Sequence, residues 1–158
     1  MKRLLLLLGR IALGAVFIVA AGPKIADPPA FAHMVSNYLL VPAAAVNFLA
    51  LFLPWFEMLA GIALVSGVFW RTGAKLSAVL LAVFILAIGI NLARDHAVQC
   101  GCFDVHAAEK SHVQRIGEMR WVVGRDLGLL ALTAWLVLSD EKRKIRREIL
   151  RKSGPEEA

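Results

Sequence analysis

The sequence predicts an all-α integral membrane protein, an antiparallel four-helix bundle. Three observations predict it. Of 158 residues, 59% are apolar and only 19% are charged. The apolar residues fall in runs of about 17 or more, and a bilayer core of ~30 Å calls for about 20 residues of helix. Residues 4–21 and 76–93 are apolar nearly all round, where a helix of a water-soluble protein carries a single apolar stripe.

The first span is expected over residues 4–21. Met1-Lys2-Arg3 before five leucines resembles the start of a signal peptide, with Val19-Ala20-Ala21 as a cleavage site. Arg10 interrupts that apolar stretch and Pro23 follows closely, so an uncleaved helix is the better reading. Gly22-Pro23 is expected to end it. Residues 24–42 then form a loop that turns at Asp27-Pro28-Pro29. Within it, residues 31–40 form a short interfacial helix, with Tyr38 at headgroup level.

The second span, residues 44–69, holds Pro54, which should kink it, and Glu57 near its middle. Trp70-Arg71-Thr72-Gly73 is a tight polar connection. The third span covers residues 75–93, with Asn91 near its end. Residues 94–120 are the longest polar stretch and contain both cysteines and three of the four histidines. The fourth span covers residues 121–138 and contains Arg125-Asp126. Residues 1–141 thus form one transmembrane domain, and residues 142–158 a basic cytoplasmic tail, helical at the surface and disordered at its end. Trp70 and Trp121 read as interface anchors, and His33 as a solvated loop residue. Gly14, Gly61, Gly89, Gly124 and Gly128 would let helices approach closely.

The net charge of +6 sits mostly in the tail. A basic patch directly after an apolar span suits anionic lipid rather than nucleic acid. Lysine and arginine set the orientation. Lys2, Arg3, Arg71, Lys75 and seven basic tail residues stand on one side, against Lys24, Arg94, Lys110, Arg115 and Arg120 on the other. Eleven against five places both termini in the cytoplasm. Cys100 and Cys102 then face outward, into a periplasm or exterior, where disulfides persist; a bacterial inner membrane is the expected location.

Cys100-Gly101-Cys102 is the first candidate site. Two cysteines flanking a glycine can close a small strained ring, because glycine adopts backbone angles that other residues resist. Strain eases reduction, which suits thiol exchange. Arg94 and His96 lie just upstream and would favour a thiolate. Two readings compete. One is an inert local clip. The other is a metal site using His96, His106 or His112 with both thiolates, but Cys-x-Cys-x3-His is not a common zinc spacing, and no metal is expected. One thiol pair at one face can trade two electrons with an outside partner or a lipid-soluble carrier such as a quinone. It cannot relay electrons across the bilayer by cysteines alone.

Intramembrane charge is the second candidate. Arg10, Glu57, Arg125 and Asp126 each cost about 2.5–3.5 kcal/mol in hydrocarbon by insertion scales, so they should face inward and pair. Depth along the spans pairs Arg10 with Glu57 as a structural couple. It also gathers Lys24, Asn91, Arg125 and Asp126 beneath the cysteine loop. That group is either a set of register-fixing pairs or a pocket for a quinone head or a proton path.

These residues resemble a known family. Gly14 to Phe17, Ala21-Gly22-Pro23-Lys24, Asp27-Pro28 and Asn37-Tyr38 resemble the first helix and loop of the DoxX-like membrane proteins, in particular the MauE branch. Leu53-Pro54-Trp55-Phe56-Glu57 with Gly61 resembles that family's second helix. Cys100-Gly101-Cys102-Phe103 resembles its thiol motif, and Arg125-Asp126 the opening of its fourth helix. The resemblance covers residues 4–138. Asp104 stands where the family often has glycine, and residues 104–120 carry no readable motif. The resemblance implies a four-helix protein of periplasmic thiol redox chemistry. Cys100 and Cys102 would be its catalytic residues, its partner a thioredoxin-like protein, and its role the maturation of a disulfide-rich redox enzyme such as methylamine dehydrogenase. It further implies coupling to quinone, and so an oxidoreductase. Two alternatives remain at this point. One is a non-catalytic docking factor in which Cys100–Cys102 is a structural clip. The other is a small transporter using Glu57 and Arg10.

Overall fold

The structure, a computed structural model, describes residues 2–96, 98 and 111–152. These form five helices and no strand: α1 (Lys2–Ala26), α2 (Pro28–Asn37), α3 (Ala43–Ser66), α4 (Trp70–Ala93) and α5 (His112–Lys152). Four of them, all but α2, are long and apolar enough to cross a membrane. The chain is therefore an all-α bundle built for a bilayer. Its outer surface agrees, since Leu8, Phe48, Trp55, Leu86 and Trp121 are all exposed. A surface so apolar has hydrocarbon as its matching solvent.

The first span is longer than expected. Instead of ending at Gly22-Pro23, α1 runs through Pro23 to Ala26. Proline removes one N–H from the ladder, a loss that spanning helices tolerate when neighbours support them. The Asp27 N–H closes the last turn on the Pro23 carbonyl at 3.1 Å. Asp27 then caps α2: its carboxylate accepts from the Ala30 N–H at 2.9 Å. Pro28 and Pro29 occupy the first helical positions, where a missing N–H leaves no bond unmade.

The short helix expected near residues 31–40 exists as α2. It buries Phe31 and Met34 against Ala50 of α3. Helix α3 continues unbroken through the buried Pro54. It stops at Gly67, which adopts the left-handed φ of 81° and donates to the Ala63 carbonyl at 3.2 Å. The fourth span begins nine residues before Trp121, at His112, and continues into the tail as one helix of 41 residues, about 60 Å at 1.5 Å per residue.

Successive spans pack antiparallel: α1 on α3, α3 on α4, α4 on α5. The ring closes where Leu132 and Leu136 of α5 approach Gly9 of α1. Leu13 and Phe17, Ala60 and Leu64, Leu80 and Leu81, and Leu136 form the shared core. At Gly14 and Gly61 the backbones nearly touch. A Cβ built on either glycine would lie 2.8 Å from the other's carbonyl oxygen, so side chains there would push α1 and α3 apart. Gly89, Gly124 and Gly128 differ, since a Cβ at each meets nothing within 4 Å.

Candidate functional site

Lys24 exists as a bundle residue only because α1 passes through Pro23. Leu13, Phe17, Ala21 and Lys24 are spaced so that one helical face carries all four inward, and all four are buried. The ammonium of Lys24 donates to both carboxylate oxygens of Glu57, each at 2.8 Å. Both side chains are 2% exposed. The rings of Phe31 and Phe84 flank the ammonium at 5.3 and 4.9 Å from their centroids, within the range of cation–π attraction. The cation is thus held by one carboxylate and two aromatic faces, drawn from α2, α3 and α4.

A second ion pair lies beside it. Arg125 donates to Asp126 through Nε at 2.9 Å and Nη2 at 2.7 Å, both to the same oxygen. Asp126 is buried, and the Arg125 guanidinium stands 5.6 Å from the Trp121 ring centroid. Lys24, Glu57, Arg125 and Asp126 all line one small cavity of about 30 Å³, together with Phe17 and Phe84. Two cations face two anions, so the cluster is neutral as a whole. Its space suits a water molecule or one polar oxygen.

Three of the four residues expected to gather here do so. Asn91 does not line this cavity. Its side chain turns back to the Ala87 carbonyl at 3.0 Å, and its own carbonyl accepts from Arg94 and His96 at 3.2 and 2.9 Å. Its polar groups serve the last turns of α4, because an amide near a helix end finds the local backbone closer than a distant partner. The expected Arg10–Glu57 couple is also corrected. Glu57 pairs with Lys24, and the Arg10 guanidinium extends the other way, to within 3.0 Å of where a Cβ on Gly67 would sit. A long cationic side chain snorkels toward a span's end more readily than toward its middle. The last carbonyls of α3 also present the negative end of a helix dipole there.

Cys100, Cys102 and His106 lie outside the described residues, as does Asp104. The flanks of their loop are described, and they are tied down. Val98 is buried with Ile88, Met119 and Val122. His96 Nε2 lies 3.1 Å from the Asn37 carbonyl at the end of α2. His112 Nε2 lies 3.2 Å from the Asp95 carbonyl. A carbonyl only accepts, so Nε2 carries the proton in both contacts. Among the described residues, no group of three His, Cys, Asp or Glu side chains is placed to hold a metal.

A second cavity was not foreseen from the sequence. It measures about 130 Å³, lies between α2, α3 and α4, and is almost wholly apolar. Phe31 and Phe84, the two rings on Lys24, form part of its wall. The available sequence signal was the spacing of Phe31, Met34, Val35 and Tyr38, which puts one apolar face on a helix too short to span.

Comparison with known proteins agrees with this architecture. Residues 2–139 match the family described as methylamine utilisation protein MauE. The methylamine utilization protein MauE of Methylorubrum extorquens is 35% identical over 123 residues, 75% of this chain and 62% of that protein. The MauE of Methylophilus methylotrophus is 35% identical over 55% of this chain and 46% of its own length, and that of Paracoccus denitrificans 35% over 60% and 51%. The matches thus span about half to three fifths of those relatives' lengths. No solved structure matches the chain. With a family match from the first turn of α1 into α5, the chain belongs to the MauE family.

Proposed function

We propose that this chain is a membrane thiol–disulfide redox protein that supports methylamine utilisation. Cys100 and Cys102 cycle between dithiol and disulfide at the periplasmic face of the inner membrane, and the DoxX-like affinity belongs to the same reading. One observation carries it. Both flanks of the cysteine loop are clamped, through Val98, His96 and His112, onto the bundle end that also carries α2. The buried ion pairs lie toward that end. A thiol pair presented there meets soluble proteins on one side and the bilayer on the other.

In the direction that forms disulfides, a thioredoxin-like partner brings a dithiol. One of its thiolates attacks the Cys100–Cys102 disulfide, giving a mixed disulfide and releasing one cysteine thiol. The partner's second thiolate then displaces the other cysteine. The partner leaves oxidised, and this chain holds two thiols with the two electrons and two protons. The product is a disulfide passed toward a periplasmic redox enzyme under maturation.

A quinone, when bound, supplies two-electron, two-proton acceptor chemistry. The Lys24, Glu57, Arg125 and Asp126 cavity is too small for a ring, since about 150 Å³ is the size that takes benzene. It suits a water or a single oxygen. Its residues would therefore orient a polar edge or hold a proton, with the ring elsewhere.

The test is thiol trapping in intact cells with a membrane-impermeant reagent, followed by identification of mixed-disulfide partners. Cys100 and Cys102 should label from outside and capture a thioredoxin-like protein. Cys100→Ser/Cys102→Ser should abolish exchange with unchanged helix content. Labelling only after lysis, or full activity of the double variant in its host, overturns the reading. A potential far more reducing than the periplasm would instead identify a structural clip in a docking factor.

A further inference from the structure

We infer that the Arg10 guanidinium, at the end of the bundle opposite α2, binds the phosphate of an anionic phospholipid in the adjoining leaflet. The inference is independent of the thiol reading, since no cysteine takes part.

Charge comes first. Arg10 lies six residues past Leu4, where the apolar span begins, about 9 Å inside at 1.5 Å per residue. A cation at that depth calls for a partner. Among the described residues Arg10 forms no ion pair: Lys24 holds Glu57, Arg125 holds Asp126, and Arg71 holds Asp140. Its Nε is enclosed and bonds to no described group. The carbonyl end of α3 offers about half a unit of negative charge, so it offsets the guanidinium only in part. A phosphodiester carries a full negative charge, and its oxygens match the forked N–H groups of arginine.

Position comes second. The Arg10 side chain extends to the α3–α4 turn. A Cβ on Gly67 would lie 2.9 Å from Nη2, 3.0 Å from Nη1 and 3.2 Å from Cζ, so a glycine is what lets the head group rest there. Gly67 directly follows the α3 span, which ends at Ser66. The guanidinium thus stands where hydrocarbon gives way to headgroups. Beside it, Val68 and Phe69 are 75% and 70% exposed, and apolar side chains so placed match lipid rather than water. A lipid can lay its tails along them while its phosphate meets Arg10. A free phosphate ion gains nothing from them. Lys75, exposed on α4, adds a cation to the same end, and basic pockets between spans suit anionic headgroups.

The experiment uses the full chain in dodecyl maltoside, a detergent with neither charge nor phosphate, and measures bound lipid by native mass spectrometry. The probes are dioleoyl-phosphatidylglycerol, dioleoylglycerol, which has the same tails without phosphate, and inorganic phosphate, which has no tails. Phosphatidylglycerol should bind at least tenfold more tightly than dioleoylglycerol. Arg10→Gln should weaken phosphatidylglycerol at least fivefold, and Arg10→Lys, which keeps the charge but loses the fork, at least twofold. The tail variant Lys142→Gln/Arg143→Gln/Lys144→Gln should leave the tightest phosphatidylglycerol within twofold of the parent. In lipid-free micelles Arg10→Gln should melt at or above the parent's temperature, because it removes an unpaired cation from a span, and added phosphatidylglycerol should raise its melting temperature less than the parent's. Should Arg10→Gln fail to fold, Arg10→Lys carries the test. Equal binding of the two lipids, or undiminished phosphatidylglycerol binding by a folded Arg10→Gln, overturns the site. Loss of the tightest lipid from the tail variant alone overturns it in favour of the basic tail. Displacement of the lipid by an equal concentration of inorganic phosphate overturns the lipid assignment in favour of a soluble anion.

Discussion

The two halves of the bundle solve helix packing in opposite ways. Toward the far end from α2, α1 and α3 meet backbone to backbone at Gly14 and Gly61, and leucines from α1, α3, α4 and α5 fill the rest. The half nearer α2 has three buried charges and the half-buried Arg125, two aromatic rings on a cation, and two cavities. Small residues bring helices together and leave no room. Paired charges with long side chains hold helices at a distance and leave space that something can occupy. The contrast teaches where to look for chemistry in a bundle of this size.

The largest effect should come from breaking the buried pair. Lys24→Ala or Glu57→Ala strands one charge in an apolar interior and should cost about 3–5 kcal/mol. The double change Lys24→Met/Glu57→Leu should recover most of that loss, because two apolar side chains of similar volume strand nothing. Reversible unfolding of the detergent-solubilised protein by added SDS measures all three. Single variants within about 1 kcal/mol of the parent would show that the pair is solvated.

Next comes the glycine contact. A Cβ at Gly61 would sit 2.7 Å from Ile18 Cγ1 and 2.8 Å from the Gly14 carbonyl oxygen. Gly61→Ala should therefore cost about 1–3 kcal/mol through overpacking. Gly124→Ala and Gly128→Ala meet nothing within 4 Å and should be neutral, or stabilise by up to about 1 kcal/mol through helix propensity. The same unfolding assay ranks them. Equal costs at Gly61 and Gly124 would erase the difference between the two halves.

The smallest effect belongs to the Arg71–Asp140 salt bridge, which ties α4 to α5 at the far end. Its side chains are 40% and 24% exposed. Arg71→Ala should cost less than about 1 kcal/mol, and high salt should remove most of that.

The spans themselves were legible, because unbroken apolar runs leave few other structures open to a chain. Helix α2 was legible too, from its apolar residues between turn signals. The partner of Glu57 was not. Proline after glycine is a helix stop in water, and that rule places Lys24 in a loop. In this bundle the helix survives, and Lys24 follows Leu13, Phe17 and Ala21 inward. Asp27-Pro28-Pro29 held the clue, since it is a better start for a second helix than a stop for the first. Arg10 was assigned by depth alone, which takes no account of the direction in which a long side chain extends. The aromatic faces on Lys24 could not be read, because Phe31 and Phe84 lie on different helices and only tertiary packing brings them together. Gly14 and Gly61 were foreseen as contact residues. Gly89, Gly124 and Gly128 carry the same residue type without the contact, so composition alone does not identify an interface.

The two ion pairs also differ in when they can form during biosynthesis. Arg125 and Asp126 are neighbours on one helix, so α5 neutralises itself and can enter the bilayer alone. Lys24 and Glu57 belong to different spans, and each burdens its own helix by roughly 2.5–3.5 kcal/mol until they meet. The first two spans are therefore best delivered to the lipid as a preassembled hairpin. Uncoupling them, with a long polar insert between α2 and α3, should lower the yield of membrane-integrated protein far more than the same insert between α3 and α4.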